Sequence, residues 1–192
     1  MPKPNPKYWK PAKRRPRWTW TLLFLPVLVG SYFLLKGKAP GDDFAALAAA
    51  GATRLGDTAV GVLENRGHLP LGQEVTYATP TPASGPHSPR DVEPGFYDAL
   101  PSRTLLVHNL EHGDVVVYYD RPGPEVLATL RRWARRFDQP FQGLVVVPLE
   151  GLGAKVVLTA WGQRLELEPF DPELAAAFID RYRGRGPERR VR

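Results

Sequence analysis

The feature that most constrains this chain is an uncharged segment of eighteen residues, WTWTLLFLPVLVGSYFLL, which runs from Trp18 to Leu35. As an α-helix, it would be about 27 Å long at roughly 1.5 Å per residue, which is close to the thickness of the hydrocarbon core of a bilayer. Two tryptophans near its start and Tyr32 near its end are residues that favour the membrane–water interface. We therefore expect residues 18–35 to form one transmembrane helix.

The charges on the two sides of this segment are unequal. Seven Lys and Arg residues lie in the proline-rich tail 1–17, whereas only Lys36 and Lys38 follow the segment closely. Because positive flanks stay in the cytoplasm, we expect a cytoplasmic N-terminus and an exported C-terminal part in the cell membrane. A cleaved signal peptide is the alternative, but the apolar stretch is long for one and no A-x-A site follows it.

The exported part divides into a linker with a short helix (36–55), a globular domain (56–182) and a basic, flexible tail (183–192). Residues 41–180 carry eleven Lys and Arg against nineteen Asp and Glu. This acidic balance would repel phosphates, so we expect no nucleic acid as a partner. The chain has no cysteine, which excludes disulfides, thiolate zinc sites and iron–sulfur clusters. The 21 prolines and few amide side chains are typical of thermophiles and of GC-rich genomes alike.

Hydrophobic patterns predict an α+β domain, in which a small mixed sheet is covered by helices. The order of its elements is strand, strand, helix, strand, strand, helix, and the first strand–helix–strand unit should be a right-handed parallel crossover. Both a thioredoxin-like and a ferredoxin-like arrangement fit this order. The predicted strands are 104–107, 115–119, 144–148 and 155–161, with a further short one at 73–77, and the predicted helices are 42–52, 124–137 and 172–182.

All four histidines of the chain, His68, His87, His108 and His112, lie within one stretch of 45 residues. Most of this stretch belongs to a longer loop, residues 56–102, which is rich in Gly and Pro. A loop of such length is usually functional or disordered. Imidazole is the commonest metal ligand, and four imidazoles can fill a tetrahedral or square site. We therefore predict one transition-metal site formed by the four histidines.

The segment His108-Asn109-Leu110-Glu111-His112 has the H-x-x-E-H pattern of inverzincin proteases. That pattern requires a helix, whereas β-branched residues flank this segment and Gly113 ends it. We therefore expect at most one helical turn, in which the two histidines converge. Glu111, Asn109 and Ser84 are expected to hold the ligands in place rather than to bind the ion.

Four short motifs resemble the domain-of-unknown-function family 3105. They are G-H-x-P at 67–70, P-x-S-G-P-H at 82–87, V-H-N-L-E-H-G at 107–113 and A-W-G at 160–162, and the resemblance covers roughly residues 60–165. Two residues depart from the family pattern, Ala83 in place of Thr and Asp114 in place of Gly. The family has no established activity to transfer, and the resemblance implies that the four histidines belong to its motifs, as a metal site would.

These observations favour a membrane-anchored, exported metal-binding protein. The absence of Cys, with Met1 as the single methionine, disfavours Cu(I), and imidazoles suit Cu(II) or Zn(II). A thiol-free site outside the cytoplasm slightly favours copper, with a role in copper handling or delivery beside a respiratory oxidase. An accessory or structural subunit of a membrane (respiratory) complex, with a structural metal site, is the first alternative. A zinc-dependent hydrolase is the second, although the pattern predicts no catalytic residue.

Overall fold

A computed structural model describes residues 43–62 and 67–188 of the chain. The predicted N-terminal tail, the predicted transmembrane helix 18–35, residues 36–42 of the linker, residues 63–66 and the last four residues lie outside these ranges. No helix within the described ranges is both long and apolar enough to cross a membrane.

The described residues form a mixed α/β domain with four helices and a five-stranded sheet. Strands at 115–119 and 144–148 and the helix at 172–182 confirm the predicted bounds. Three further elements are slightly shorter than predicted: the helices predicted at 42–52 and 124–137 span 44–52 and 124–136, and the strand predicted at 155–161 spans 156–160. In chain order, the elements are α1 (Phe44–Ala52), β1 (Gly95–Phe96), α2 (Arg103–His112), β2 (Val115–Tyr119), α3 (Pro124–Arg136), β3 (Leu144–Pro148), β4 (Val156–Ala160), β5 (Gln163–Leu167) and α4 (Pro172–Tyr182).

The sheet has the order β1-β3-β2-β4-β5. Strand β2 pairs in parallel with β3, so α3 crosses between them as the predicted strand–helix–strand unit requires, and β1 joins β3 in parallel. Strands β4 and β5 are antiparallel to their neighbours. The central strand β2, VVVYY, is buried along its whole length, because helices cover both faces of the sheet.

Two predicted strands are wrong, and two strands of the structure were not predicted. Residues 104–107 lie in helix α2 and not in a strand, residues 73–77 form no strand, and β1 and β5 were not predicted. Helix α2 forms because Ser102 caps its first turn by accepting a hydrogen bond from the amide of Thr104. It ends at Gly113, which adopts the left-handed conformation (φ 102°) typical of a helix C-cap. Gly113 is therefore the residue that ends the helix, and not evidence against one.

The two faces of the sheet are covered differently. Helices α1, α3 and α4 pack on one face, around a large cluster that includes Trp133, Leu158 and Phe178. On the other face, Leu106 and Leu110 of α2 pack against a smaller cluster that includes Tyr118. Because these two leucines are one helical turn apart, they fix the face of α2 that meets the sheet and leave its opposite side for polar residues.

The chain after α4 returns to the C-terminal end of α2. The amide of Gly184 donates to the carbonyl of Gly113, and the amide of Glu188 donates to the carbonyl of Glu111. Contact is so close that a Cβ atom on Gly186 would lie 2.1 Å from the carbonyl oxygen of Glu111. The C-terminal segment therefore holds the last turn of α2 in place.

Candidate metal centre

Two of the histidines are joined to each other through the backbone of the long loop. His68 and His87 form a parallel β-bridge, in which the amide of Leu69 donates to the carbonyl of His87 (2.7 Å) and the amide of His87 donates to the carbonyl of Gly67 (3.3 Å). The hydroxyl of Tyr77 donates to the carbonyl of Pro86, so two parts of the same loop are joined by a hydrogen bond. The bridge therefore presents both imidazoles from neighbouring points of a loop that has almost no regular structure.

Helix α2 supplies the remaining side chains of the cluster. His108 and Glu111 are three residues apart and project from the side of α2 opposite Leu106 and Leu110. The rings of His68, His87 and His108 have centroids 5.1 to 5.3 Å apart. One potential ligand atom from each of His68, His87, His108 and Glu111 lies within 4.8 Å of the others, so the four side chains could hold one metal ion.

Both nitrogens of the His87 ring lie close to oxygen atoms. Its Nδ1 lies 2.8 Å from the carbonyl oxygen of Gly85, an atom that can only accept, so Nδ1 carries a proton and donates it. Its Nε2 lies 2.8 Å from a carboxylate oxygen of Glu111. In the neutral imidazole this Nε2 is also an acceptor, so two lone pairs face each other unless a proton or a metal ion lies at the contact. An imidazole whose second nitrogen donates to a backbone carbonyl is also the usual arrangement of a metal-bound histidine.

Gly85 is the residue that makes this arrangement possible. Its φ of 132° lies in a region that side chains rarely adopt, and the resulting turn directs its carbonyl back to the ring two residues later. The edge of the Trp161 ring closes the other side, with its centroid 5.9 Å from that of His87. The P-x-S-G-P-H and A-W-G motifs therefore meet at the same imidazole.

The members of the cluster differ in their exposure to solvent. His87 is fully buried and His108 is 5% exposed, whereas the side chains of Glu111 and His68 are 16% and 50% exposed. Burial, together with the neighbouring histidines, lowers the pKa of His108 to about 4. His108 is therefore neutral at physiological pH, the form that binds a metal ion. Its Nδ1 is buried and has no hydrogen-bond partner within 43–62 and 67–188.

His112 lies beside the cluster but not in its group of ligand atoms. Its Nδ1 is 3.3 Å from a carboxylate oxygen of Asp91, and its Nε2 is 3.1 Å from one of Glu188. The ring stacks on Phe141 at 4.2 Å and meets the edge of His108 at the same distance. The structure thus brings three of the four predicted histidines together with Glu111, which was expected only to support them. The fourth, His112, lies instead between two carboxylates.

The two other residues expected to support the ligands have different surroundings. Asn109 is fully buried and bonds to the amide and carbonyl of Val92 and to the carboxylate of Asp114, so it connects the loop to α2. Asp114 also accepts from the amide of Gly143, and burial raises the pKa of this carboxyl. Ser84 is buried in the loop immediately before Gly85.

The ground for setting aside the inverzincin pattern was wrong, because residues 108–112 do lie in a helix. The arrangement nevertheless differs from what the pattern requires. In an inverzincin, both histidines bind the ion and the glutamate acts on water. Here Glu111 is grouped with His108, and His112 is paired with carboxylates.

Asp91 and Glu188, the partners of His112, had no signal in the sequence. Both are acidic residues of loops, which are common on any surface, and Glu188 reaches α2 only because the chain turns back after α4. Glu111 did carry a signal, since its spacing of three from His108 places both on one side of a helix. That signal was lost when the segment was assigned to a strand and a turn.

Comparison with known proteins gives one match. The family model described as "Protein of unknown function (DUF3105)" matches residues 68–192, which begins at His68 and includes all four histidines. No curated protein and no solved structure is significantly similar to the chain. The match confirms the resemblance drawn from the histidine motifs, and it covers well over half of the sequence. The chain therefore belongs to the DUF3105 family of proteins of unknown function.

Proposed function

We propose that this chain is a membrane-anchored protein whose exported domain binds one divalent transition-metal ion through His68, His87, His108 and Glu111. The observation that carries the proposal is the 2.8 Å contact between Nε2 of His87 and the carboxylate of Glu111, in which both atoms are acceptors when the ring is neutral. A metal ion satisfies both acceptors at once and leaves the hydrogen bond of the ring to Gly85 intact.

Three imidazoles and one carboxylate form a donor set of intermediate hardness, which suits Zn(II) or Cu(II). A tetrahedral ion with bonds of about 2 Å has ligand atoms roughly 3.3 Å apart. The ligand atoms of the cluster lie within 4.8 Å of one another, so the widest pairs would close by up to about 1.5 Å on binding, whereas Nε2 of His87 and the Glu111 oxygen, now 2.8 Å apart, would separate by about half an ångström. The absence of thiolates disfavours Cu(I). Copper handling or delivery outside the cytoplasm remains the role that we favour.

The proposed location rests on the sequence. The uncharged segment 18–35 is long enough to span a bilayer, and the excess of positive charge before it favours an exported C-terminal part. An acidic domain with histidine ligands and without thiols is suited to capturing cations in an oxidising compartment.

A structural role for the same ion is the second candidate. Between residues 67 and 102, β1 is the only segment with more than a single β-bridge, so individual hydrogen bonds hold much of this loop on the domain. Examples are the bond from the amide of Gly162 to the carbonyl of Ala83 and those between Asn109 and Val92. An ion that joins His68 and His87 to α2 would fasten the loop, as expected for an accessory subunit of a membrane complex. A zinc hydrolase is less favoured, because Glu111 contacts His87 instead of being free to act on water.

Metal analysis of the full-length chain, purified without a histidine tag, tests the proposal. We expect one Zn(II) or Cu(II) per chain, and loss of the ion from His87→Gln. His112→Ala is the matched control, because this histidine lies outside the ligand group, and it should retain the ion. Wild-type protein that takes up neither ion, or equal loss from both variants, would contradict the proposed site.

The melting temperature then separates the two roles. At a thousandfold excess of free ion over its Kd, binding to the folded state stabilises by about 4 kcal/mol. A structural ion should also protect the loop 67–102 against proteolysis, whereas a carrier site should lose its ion to a chelator without new cleavage in that loop.

A further inference from the structure

One ligand of the cluster is accessible from outside while the others are enclosed. Half of the side-chain surface of His68 is exposed, whereas His87 is fully buried and His108 almost so. The side chain of Glu111 is also mostly buried, with 16% of its surface exposed. The cluster is therefore open to solvent on the side of His68.

The same residue is also the one most loosely held. The ring of His87 is fixed from both sides, by Gly85 at Nδ1 and by Glu111 at Nε2, each at 2.8 Å. His108 is fixed by the helix that carries it. The ring of His68 contacts those of two neighbouring histidines but makes no hydrogen bond to Glu111, because its Nε2 lies 3.6 Å from that carboxylate, beyond hydrogen-bond distance.

We propose that His68 is the exchangeable ligand of the site, through which the metal ion enters and leaves. In the exchange, a neutral donor atom of the acceptor forms a bond to the ion as the bond to Nε2 of His68 breaks, so the charge of the site and the oxidation state of the ion do not change. This inference rests on the proposed function, and it identifies the route of the ion.

The test uses the full-length chain loaded with one equivalent of Zn(II) or Cu(II), whichever the wild type retains, and follows release of the ion to an excess of a chromogenic chelator. His68→Ala removes an exposed side chain, so the fold should survive. We expect it to bind one ion and to release it at least about tenfold faster than wild type. Millimolar imidazole should slow this release towards the wild-type rate, because a free imidazole can enter the position of His68.

His108→Gln provides the comparison from inside the site. We expect it to lose the ion with or without imidazole, because a free imidazole cannot reach an enclosed position. If circular dichroism shows that this variant is unfolded, His87→Gln takes its place. The inference would be overturned if His68→Ala released the ion at the wild-type rate. It would also be overturned if imidazole slowed release from the variant of the enclosed histidine as effectively as it slows release from His68→Ala. Either result would leave metal binding intact. Wild-type protein that binds no ion would overturn the proposed function itself, and with it this inference.

Discussion

Replacing Glu111 with Gln should change the stability of the metal-free protein and its affinity for metal in opposite directions. In the metal-free domain, a neutral His87 ring whose Nδ1 donates to the carbonyl of Gly85 leaves Nε2 as an acceptor that faces the carboxylate. The amide nitrogen of a glutamine in the same place can donate to this Nε2 across the same 2.8 Å. An unfavourable contact between two acceptors then becomes a hydrogen bond.

The expected gain is the net worth of one hydrogen bond, about 1 kcal/mol. For a domain of this size, that corresponds to a rise of about 3 °C in the melting temperature of the metal-free protein. The same substitution removes an anionic ligand, so the affinity for Zn(II) or Cu(II) should fall at least about tenfold. Thermal denaturation followed by circular dichroism, with a chelator and then with added ion, measures both effects in one preparation.

Glu188→Gln is the matched control for this experiment. It also removes a carboxylate that faces a histidine, but its partner is His112, outside the ligand group. We expect its affinity for the ion to remain close to that of wild type. The reasoning would be refuted if Glu111→Gln melted several degrees below wild type without metal, or if it bound the ion as tightly as wild type.

Three further predictions concern the rest of the chain. Because the pKa of His108 is lowered to about 4 from 6.5, the unfolded chain binds this proton first as the pH falls. Metal-free stability should therefore drop by about 2 to 3 kcal/mol between pH 7 and 4, and His108→Gln should flatten this part of the profile in urea denaturation. Gly186→Ala would place a Cβ against the carbonyl of Glu111 and should cost about 1 to 3 kcal/mol in the same assay, whereas Gly56→Ala meets open space and should be neutral; equal effects would count against the packing argument. A reporter enzyme fused after Arg192 should be active only outside the cytoplasm, and cytoplasmic activity would contradict the proposed anchor.

The strands of the sheet core could be predicted because their sequences allow little else. The runs at 115–119 and 144–148 are almost entirely β-branched and aromatic, and both strands are buried on both faces. Helix α2 was missed because Thr104 to Val107 looks like a strand when read alone. Its caps, Ser102 and Gly113, flank the ten helical residues and were the sequence signal for this helix. Strand β1 has two residues, too few for any periodicity.

The convergence of histidines could be predicted from the sequence, but the set of side chains that could hold one ion could not. Clustering of the histidines along the sequence indicated a metal centre, and three of them do converge. The choice between Glu111 and His112 depends on the rotation of α2, which Leu106 and Leu110 set by packing on the sheet, and on the return of the C-terminal segment to α2. Neither contact follows from the spacing of residues within the motif.

The bridge between His68 and His87 makes two backbone amides into reporters of the site. The amide protons of Leu69 and His87 each form one hydrogen bond of that bridge, in a segment with hardly any helix or strand. Such protons exchange with deuterium when the bridge opens locally, without unfolding of the sheet. An ion bound by both imidazoles must leave, or lose a ligand, before the bridge can open. Deuterium uptake at these two positions therefore reads the occupancy of the cluster, while uptake in β2 reads the stability of the whole domain.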